Sequence, residues 1–218
     1  MIISFTEENY VKAIFHFQQV GKVNTTMLSQ HFGLKAASVT EMLKRLSDKK
    51  LIDYQKYKPV YLTKSGNKLA LSIIRKHRLW EVFLLEKLNF KWNEVHEIAE
   101  QLEHIKSEEL INRLEKYLDH PKFDPHGDPI PNKNGSIPKR QAILLNQVVY
   151  PGNYKLVAVN YHTNEFLQHL TKLKLNIGNT FKIEERSSFD GSYRVKLSNN
   201  FIVLLSNQVA THLLVKKV

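Results

Sequence analysis

Apolar residues recur with the period of an α-helix through the first fifty positions of the chain. The pattern predicts a helix over residues 7–19, a short helix over 26–32 and a third helix over 36–49. Glycines follow the first two helices, in VGKVN and at Gly33, where helices commonly end. Two helices joined by a tight glycine-containing turn predict a helix-turn-helix.

The pattern changes to alternation in the segment LIDYQKYKPVYLT. Its β-branched and aromatic residues predict two short strands with a turn at 57–59. Two further helices are predicted over residues 65–88 and 93–118. Because the strands directly follow the helix-turn-helix, residues 1–64 are predicted to form a winged helix-turn-helix.

Residues 121–141 interrupt both patterns. Five of the seven prolines fall between positions 121 and 138, which predicts a linker. Beyond it, short β-rich runs such as YKLVAVN and FIVLLS, with one helical patch, predict a small β-barrel. The predicted domains are therefore 1–64, 65–120 and 142–218, with 121–141 as the linker.

Composition and charge favour a polyanionic partner. The chain carries 32 Lys and Arg against 21 Asp and Glu, a formal charge of +11, and basic surfaces bind nucleic acid by releasing counterions. Residues 1–64 hold 10 basic and 5 acidic side chains. With no cysteine in the sequence, any metal must be bound through nitrogen and oxygen. The sequence shows no signal-peptide pattern and no long apolar run, so we expect a cytoplasmic protein that does not contact the membrane.

The predicted helix-turn-helix supplies candidate DNA-binding residues. In this motif the N-terminal residues of the second helix face base edges in the major groove. A small packed subdomain with a solvated lysine face, or a protein-binding surface, would show the same pattern, but the order of elements and the net charge favour DNA. The predicted DNA-binding residues are Ala36, Ala37, Ser38, Thr40 and Lys44 on the helix, and Lys56 and Lys58 at the tip of the wing.

A second set of side chains indicates metal chemistry. At helical spacing, four histidines and carboxylates of the segment HEIAEQLEH fall on one face, and two more share a face of the preceding helix. Such ligands suit Mn²⁺ or Fe²⁺ better than a closed zinc site. An amphipathic helix with a solvated polar face gives the same spacing, so the alternative stays open at this point. The two sets are His96, Glu100, Glu103 and His104, and His77 and Glu81.

Five stretches of the chain match a known family in the right order: SVTEMLKRLSDKKLI, YLTKSG, RKHRLWEVFL, EVHEIAEQLEH and FDPHGDPIP. In them the chain resembles the diphtheria-toxin-repressor and manganese-transport-regulator (DtxR/MntR) family of dimeric metalloregulators. The resemblance implies a mostly α-helical protein, with an N-terminal winged helix-turn-helix and a helical metal-binding and dimerisation domain. It also implies that the C-terminal β-barrel is SH3-like (FeoA-like).

The resemblance further implies a primary metal site at Asn9, His77, Glu100, Glu103 and His104. Asn9 stands where the family has an aspartate or methionine ligand, and it can coordinate only through its amide oxygen. The glutamate at position 100 is similar to the manganese-type arrangement, since iron-responsive members have a cysteine or comparable ligand there. Lys12 replaces a glutamate that bridges two metals in some members, which predicts against a binuclear cluster.

A second site is implied at Glu81, Asp124, His126 and Glu165. Asp124 replaces the cysteine of the family's similar CPHG motif and keeps a carboxylate available. The competing interpretation is a linker held by hydrogen bonds without a metal.

Together these features predict a Mn²⁺- or Fe²⁺-dependent repressor of metal-uptake genes that binds palindromic double-stranded operator DNA as a homodimer. We do not expect an enzyme, because the sequence offers no evidence of an open coordination position beside a substrate pocket. The main alternative is a metal-independent winged-helix regulator that responds to another ligand.

Overall fold

The computed structural model describes residues 2–218 of the chain. Its helices are α1 (Phe5–Val20), α2 (Thr25–Phe32), α3 (Ala36–Asp48), α4 (Lys64–Leu88), α5 (Val95–Leu102), α6 (Glu108–Tyr117), α7 (Asn164–Lys172) and α8 (Asn207–Ala210). Its strands are β1 (Ile52–Asp53), β2 (Tyr61–Leu62), β3 (Ile143–Leu144), β4 (Gly152–Val159), β5 (Thr180–Arg186), β6 (Tyr193–Leu197), β7 (Ile202–Leu205) and β8 (Leu213–Lys217). Among these residues, no helix is long and apolar enough to cross a bilayer.

The start of α1 is determined by a capping box. The hydroxyl of Ser4 accepts a hydrogen bond from the Glu7 backbone N–H at 3.3 Å, and the Glu7 carboxylate accepts one from the Ser4 N–H at 2.8 Å. The apolar face of α1 is buried at Tyr10, Val11 and Ile14. This face anchors α1 in the N-terminal core.

The predicted winged helix-turn-helix is confirmed. Asn24 caps α2 by accepting the Met27 N–H at 2.9 Å, and Gly33 ends it in the left-handed conformation with φ of 63°. The amphipathic helix α3 follows and buries its apolar side. In the wing, β1 and β2 pair antiparallel, with Ile52 opposite Leu62.

The prediction of one helix over residues 93–118 is wrong. The chain forms α5 and α6 instead, and residues 103–107 lie outside both helices. The Ile105 N–H donates to the Leu102 carbonyl oxygen at 3.1 Å, a tighter turn than an α-helix makes. Ser107 directly precedes α6, where serine is favoured.

The chain forms two compact units. One comprises the N-terminal residues through His77, with Glu100–Glu108 and Pro131–Ser136. Its core combines apolar residues of α1, α2, α3 and the wing. The other comprises Arg78–Ala99, Glu109–Ile130 and Ile137–Val218, and its core lies mainly between the C-terminal sheet and α7.

The C-terminal sheet is not the closed barrel that the strand pattern predicted. It is an open antiparallel sheet in the order β3-β8-β4-β5-β6-β7, and its edge strands β3 and β7 do not pair with each other. The strand β3 has only two residues, and both pair with residues of β8. Helix α7 buries Leu167 and Leu170 in the same core, so the apolar face of the sheet is covered without closure.

Candidate metal centres

The first cluster of polar side chains lies in the N-terminal unit. His77 of α4 contacts Glu103, with 2.7 Å between His77 Nδ1 and Glu103 Oε2. Glu100, near the end of α5, places Oε1 3.9 Å from the same nitrogen. One ligand atom from each of the three residues lies within 4.8 Å of the others. The structure therefore brings together three of the five residues predicted for the primary site.

Helix α1 contributes the other side of this cluster. The Lys12 ammonium donates to Glu100 Oε1 at 2.6 Å and to both carboxylate oxygens of Glu103 at 2.7 Å. The Glu103 side chain is completely buried, whereas that of Glu100 is 36% exposed. Glu103 thus holds Lys12 and His77 on its two oxygens.

His104 and Asn9, the other two residues predicted for the primary site, are not part of this three-residue group. His104 Nδ1 lies 2.6 Å from Glu8 Oε2, and its ring stacks on Phe5 with 4.6 Å between centroids. The Oδ1 atom of Asn9 is buried and has no hydrogen-bond partner among the described residues. A buried acceptor without a donor is costly, and a cation would satisfy it.

Two features of this cluster differ from the sequence interpretation. Glu103 and His104 do not share a helical face with His96, because they lie in the turn after α5. Glu8 was missed, although it is buried one position before Asn9 on α1. A glutamate beside the core positions of α1 was the available signal.

The second cluster lies in the C-terminal unit. Glu81, Asp124 and His126 are all buried and place one ligand atom each within 4.8 Å. His126 Nε2 donates to the Trp92 carbonyl oxygen at 2.7 Å, which directs Nδ1 towards Glu81 Oε1 at 3.6 Å. Histidine ligands of metals are commonly oriented in this way, by a hydrogen bond from the other ring nitrogen.

Burial and charge shift the protonation of this second cluster. Burial raises the pKa of Asp124 to about 7, and the nearby charges of Glu81 and Asp128 act in the same direction. Burial lowers the pKa of His126, but the hydrogen bond to Glu81 and the carboxylate charges outweigh it and raise the pKa to about 9. The cluster is a group of buried carboxylates held by adjacent cationic side chains.

The predicted fourth ligand of this cluster lies elsewhere. Glu165 is exposed at the start of α7 and is not part of the three-residue group. His162 stacks on His126 instead, with 4.8 Å between ring centroids, and its Nε2 lies 3.8 Å from Asp128 Oδ2.

The donors of both clusters fit a hard or borderline divalent cation. Carboxylate, amide and imidazole groups suit Mn²⁺ and Fe²⁺, and the sequence contains no thiolate to select a softer metal. The buried Oδ1 of Asn9 on α1, which has no partner among the described residues, is a further oxygen that a cation would satisfy.

Comparisons with known proteins agree with this chemistry. Residues 3–60 match the model of the iron dependent repressor N-terminal DNA binding domain, and residues 63–132 match that of its metal binding and dimerisation domain. Residues 143–217 match the FeoA domain. A solved structure, described as a manganese-dependent transcriptional repressor in complex with manganese, has 30% identity and a TM-score of 0.87. The match covers 97% of this chain and 99% of that chain.

The chain belongs to the diphtheria-toxin-repressor family. This is a family of metal-dependent transcriptional repressors and not of enzymes. The diphtheria toxin repressor of Corynebacterium diphtheriae is 26% identical over 208 residues, covering 89% of both chains. The iron-dependent repressor IdeR of Mycobacterium tuberculosis is 31% identical over 127 residues, which are 58% of this chain and 55% of IdeR. The chain therefore spans about half the length of that relative.

Six of the seven residues predicted to bind DNA are exposed. Ala36, Ala37 and Ser38 are exposed at the start of α3, and Thr40 is half-buried in its second turn. Lys44 is exposed farther along the same helix. At the wing, Lys56 and Lys58 are also exposed, and the Lys56 ammonium lies 4.9 Å from the centre of the Tyr57 ring.

Lys44→Ala is expected to weaken DNA binding about equally on all sequences, because a lysine at this position would neutralise a phosphate. The slope of log K against log salt concentration should become shallower by about 0.9 per subunit. The measurement is a binding titration at several salt concentrations. The control is Lys182→Ala, because Lys182 is also an exposed lysine but lies on β5, outside the predicted DNA-binding region. An unchanged slope in Lys44→Ala would place Lys44 outside the DNA contact.

Proposed function

We propose that this chain is a Mn²⁺-activated repressor that binds palindromic operator DNA of metal-uptake genes as a homodimer. The observation that carries the proposal is the first cluster, in which His77, Glu100 and Glu103 converge. Asn9, whose buried Oδ1 has no partner among the described residues, lies on α1 one turn before Lys12, which contacts both glutamates. Because the proposed repressor binds operator DNA, we expect the protein in the cytoplasm.

The proposed primary ligands are Asn9, His77, Glu100, Glu103 and His104. Mn²⁺ is favoured over softer metals because the set combines three oxygen-bearing side chains with imidazoles and lacks sulfur. Fe²⁺ uses similar ligands and is the second choice. His104 would exchange its contact with Glu8 for the metal, and Glu8 is then available as a further carboxylate.

The cluster can link metal binding to the state of the DNA-binding unit. Its side chains come from α1, from α4, and from the end of α5 with the turn that follows it, and these three regions are far apart in sequence. Bound Mn²⁺ would supply two positive charges to these carboxylates. Since α1 also packs in the core beneath the helix-turn-helix, side chains that hold α1 favour one arrangement of that unit.

For the second site we propose Glu81, Asp124 and His126. The support is their burial and the fixed orientation of the His126 ring. Glu165 stays a prediction as a fourth ligand. A linker held by hydrogen bonds alone remains the alternative, because Asp124 Oδ1 accepts the N–H groups of His126 and Asp128 at 2.8 and 2.9 Å.

The experiment is a Mn²⁺ titration of DNA binding. Duplexes are selected from a random library with the protein and Mn²⁺, and affinity for the selected duplex is measured with Mn²⁺, with Fe²⁺ under anaerobic conditions, and with a chelator. We expect binding at least about 100-fold tighter with Mn²⁺ than with the chelator, typical of strong allosteric coupling. Equal affinity in both would contradict metal sensing and favour a regulator that responds to another ligand.

A further inference from the structure

Lys12 occupies the position that a metal at the first cluster would need. Its ammonium lies within 2.7 Å of three carboxylate oxygens, one of Glu100 and two of Glu103. The Lys12 side chain is only 13% exposed, so water screens the interaction weakly. This is not an ordinary surface ion pair, because Glu103 is completely buried.

The Lys12 ammonium reduces the repulsion between the two carboxylates that it contacts. Glu100 and Glu103 bring two carboxylates next to each other, and like charges in a buried site repel. Lys12 brings a permanent positive charge to both of them. It therefore offsets one of the two negative charges and joins α1 to the end of α5 and to the turn that follows it.

The same oxygens cannot serve two cations equally well. A divalent ion bound to Glu100 and Glu103 would sit close to an ammonium at 2.6–2.7 Å from those groups, and cations at such distances repel strongly. The Lys12 side chain can move its ammonium away from these oxygens, because a lysine has a flexible stem of four carbons. Metal binding and the Lys12 contact are thus alternatives.

We propose that Lys12 is a built-in competitor of the metal. Its ammonium holds the Glu100–Glu103 pair when no metal is bound, and it must leave those oxygens before a divalent cation can use them. The inference rests on the proposed function for its ligand set. It adds a role for a residue that is not itself a ligand, because Lys12 lowers the affinity of the site and sets the concentration at which the metal binds.

The test is Lys12→Met, which keeps the length of the side chain and removes the charge. Free Mn²⁺ is measured from the electron paramagnetic resonance signal of the aqueous ion during titration of the full chain. We expect the variant to bind Mn²⁺ at this site at least about tenfold more tightly, because the competing charge is gone. Its melting temperature without metal should fall, and the rise produced by Mn²⁺ should be larger than in the wild type.

Three further variants make the result specific. Lys49→Met removes an ammonium that pairs at 2.7 Å with Glu7, which lies on α1 as Lys12 does but outside the cluster. This variant should leave Mn²⁺ affinity unchanged. Lys12→Gln is polar and uncharged and should tighten binding even where Lys12→Met folds poorly. Glu100→Gln should weaken Mn²⁺ binding at the same site where Lys12→Met strengthens it. This result would assign that binding to the first cluster and not to the second.

The outcomes are distinguishable from those of the proposed function. If the wild type binds Mn²⁺ at the cluster and the uncharged Lys12 variants bind it equally or more weakly, the competitor role is overturned while Mn²⁺ sensing stands. If the wild type binds none there and the variants do, competition is supported and Mn²⁺ activation is contradicted. If neither binds Mn²⁺ at the cluster, both are overturned. Lower stability alone, without tighter Mn²⁺ binding, would show a merely structural lysine.

Discussion

Glu103→Gln is expected to abolish the Mn²⁺ response of DNA binding. Glu103 is completely buried, and its two oxygens contact Lys12 and His77. The amide removes the charge and replaces one acceptor by a donor that faces these groups. We expect the affinity for Mn²⁺ at this site to fall by at least about 100-fold, because loss of a group that only supports a ligand already costs about 10–100-fold and Glu103 is a proposed ligand. Mn²⁺ titration and DNA binding of the same preparation provide the measurement.

The matched control is Glu97→Gln. Glu97 lies on α5 and is exposed, so the substitution makes the same chemical change outside the cluster. Circular dichroism of both variants shows whether they are folded. A folded Glu103→Gln variant that keeps its Mn²⁺-dependent DNA binding would remove the first cluster from the mechanism and leave Glu81, Asp124 and His126 as the site to test.

The DNA-binding region could be predicted from the sequence because its signals are local. Gly33 ends α2, and the capping residue Asn24 stands next to the helix that it caps. Alternation in the wing and helical periodicity in α3 are likewise contained in short segments. The structure confirms these elements with small changes in their bounds.

The details of the metal clusters could not be predicted in the same way. The contact between Glu8 and His104 joins residues 96 positions apart, and no pattern in either segment reports the other. Helical spacing suggested a shared face for Glu103 and His104, but the chain leaves the helix after Leu102. The family resemblance named the ligand candidates, of which His77, Glu100 and Glu103 lie together in the structure, but it did not show that Lys12 pairs with the two glutamates.

The open C-terminal sheet has a similar explanation. Short alternating runs fit strands of a barrel and strands of an open sheet equally well, because closure depends on the two edges. Here the edge strand β3 has only two residues. The helical patch over residues 165–173 was visible in the sequence, but its burial against the sheet was not.

Gly127→Ala is expected to disrupt the second cluster and to destabilise the C-terminal unit by at least about 3 kcal/mol. Gly127 has φ of 86°, and a Cβ there would overlap the carbonyl oxygen of Val157 and lie 2.6 Å from the Cα of Ala158. Neither backbone atom can move without shifting β4. The glycine follows His126 directly, so the turn that presents the second cluster depends on this close approach.

Gly178→Ala separates the two causes of that loss. Gly178 also has a positive φ, 95°, but a Cβ there would meet no atom within 4 Å among the described residues. Its substitution should cost only the backbone strain, about 1–2 kcal/mol. Urea denaturation of both variants measures the difference, and Mn²⁺ stoichiometry reports the second cluster. If Gly127→Ala costs no more than Gly178→Ala and keeps the Mn²⁺ stoichiometry of the wild type, then close packing of this turn on β4 does not position Asp124 and His126.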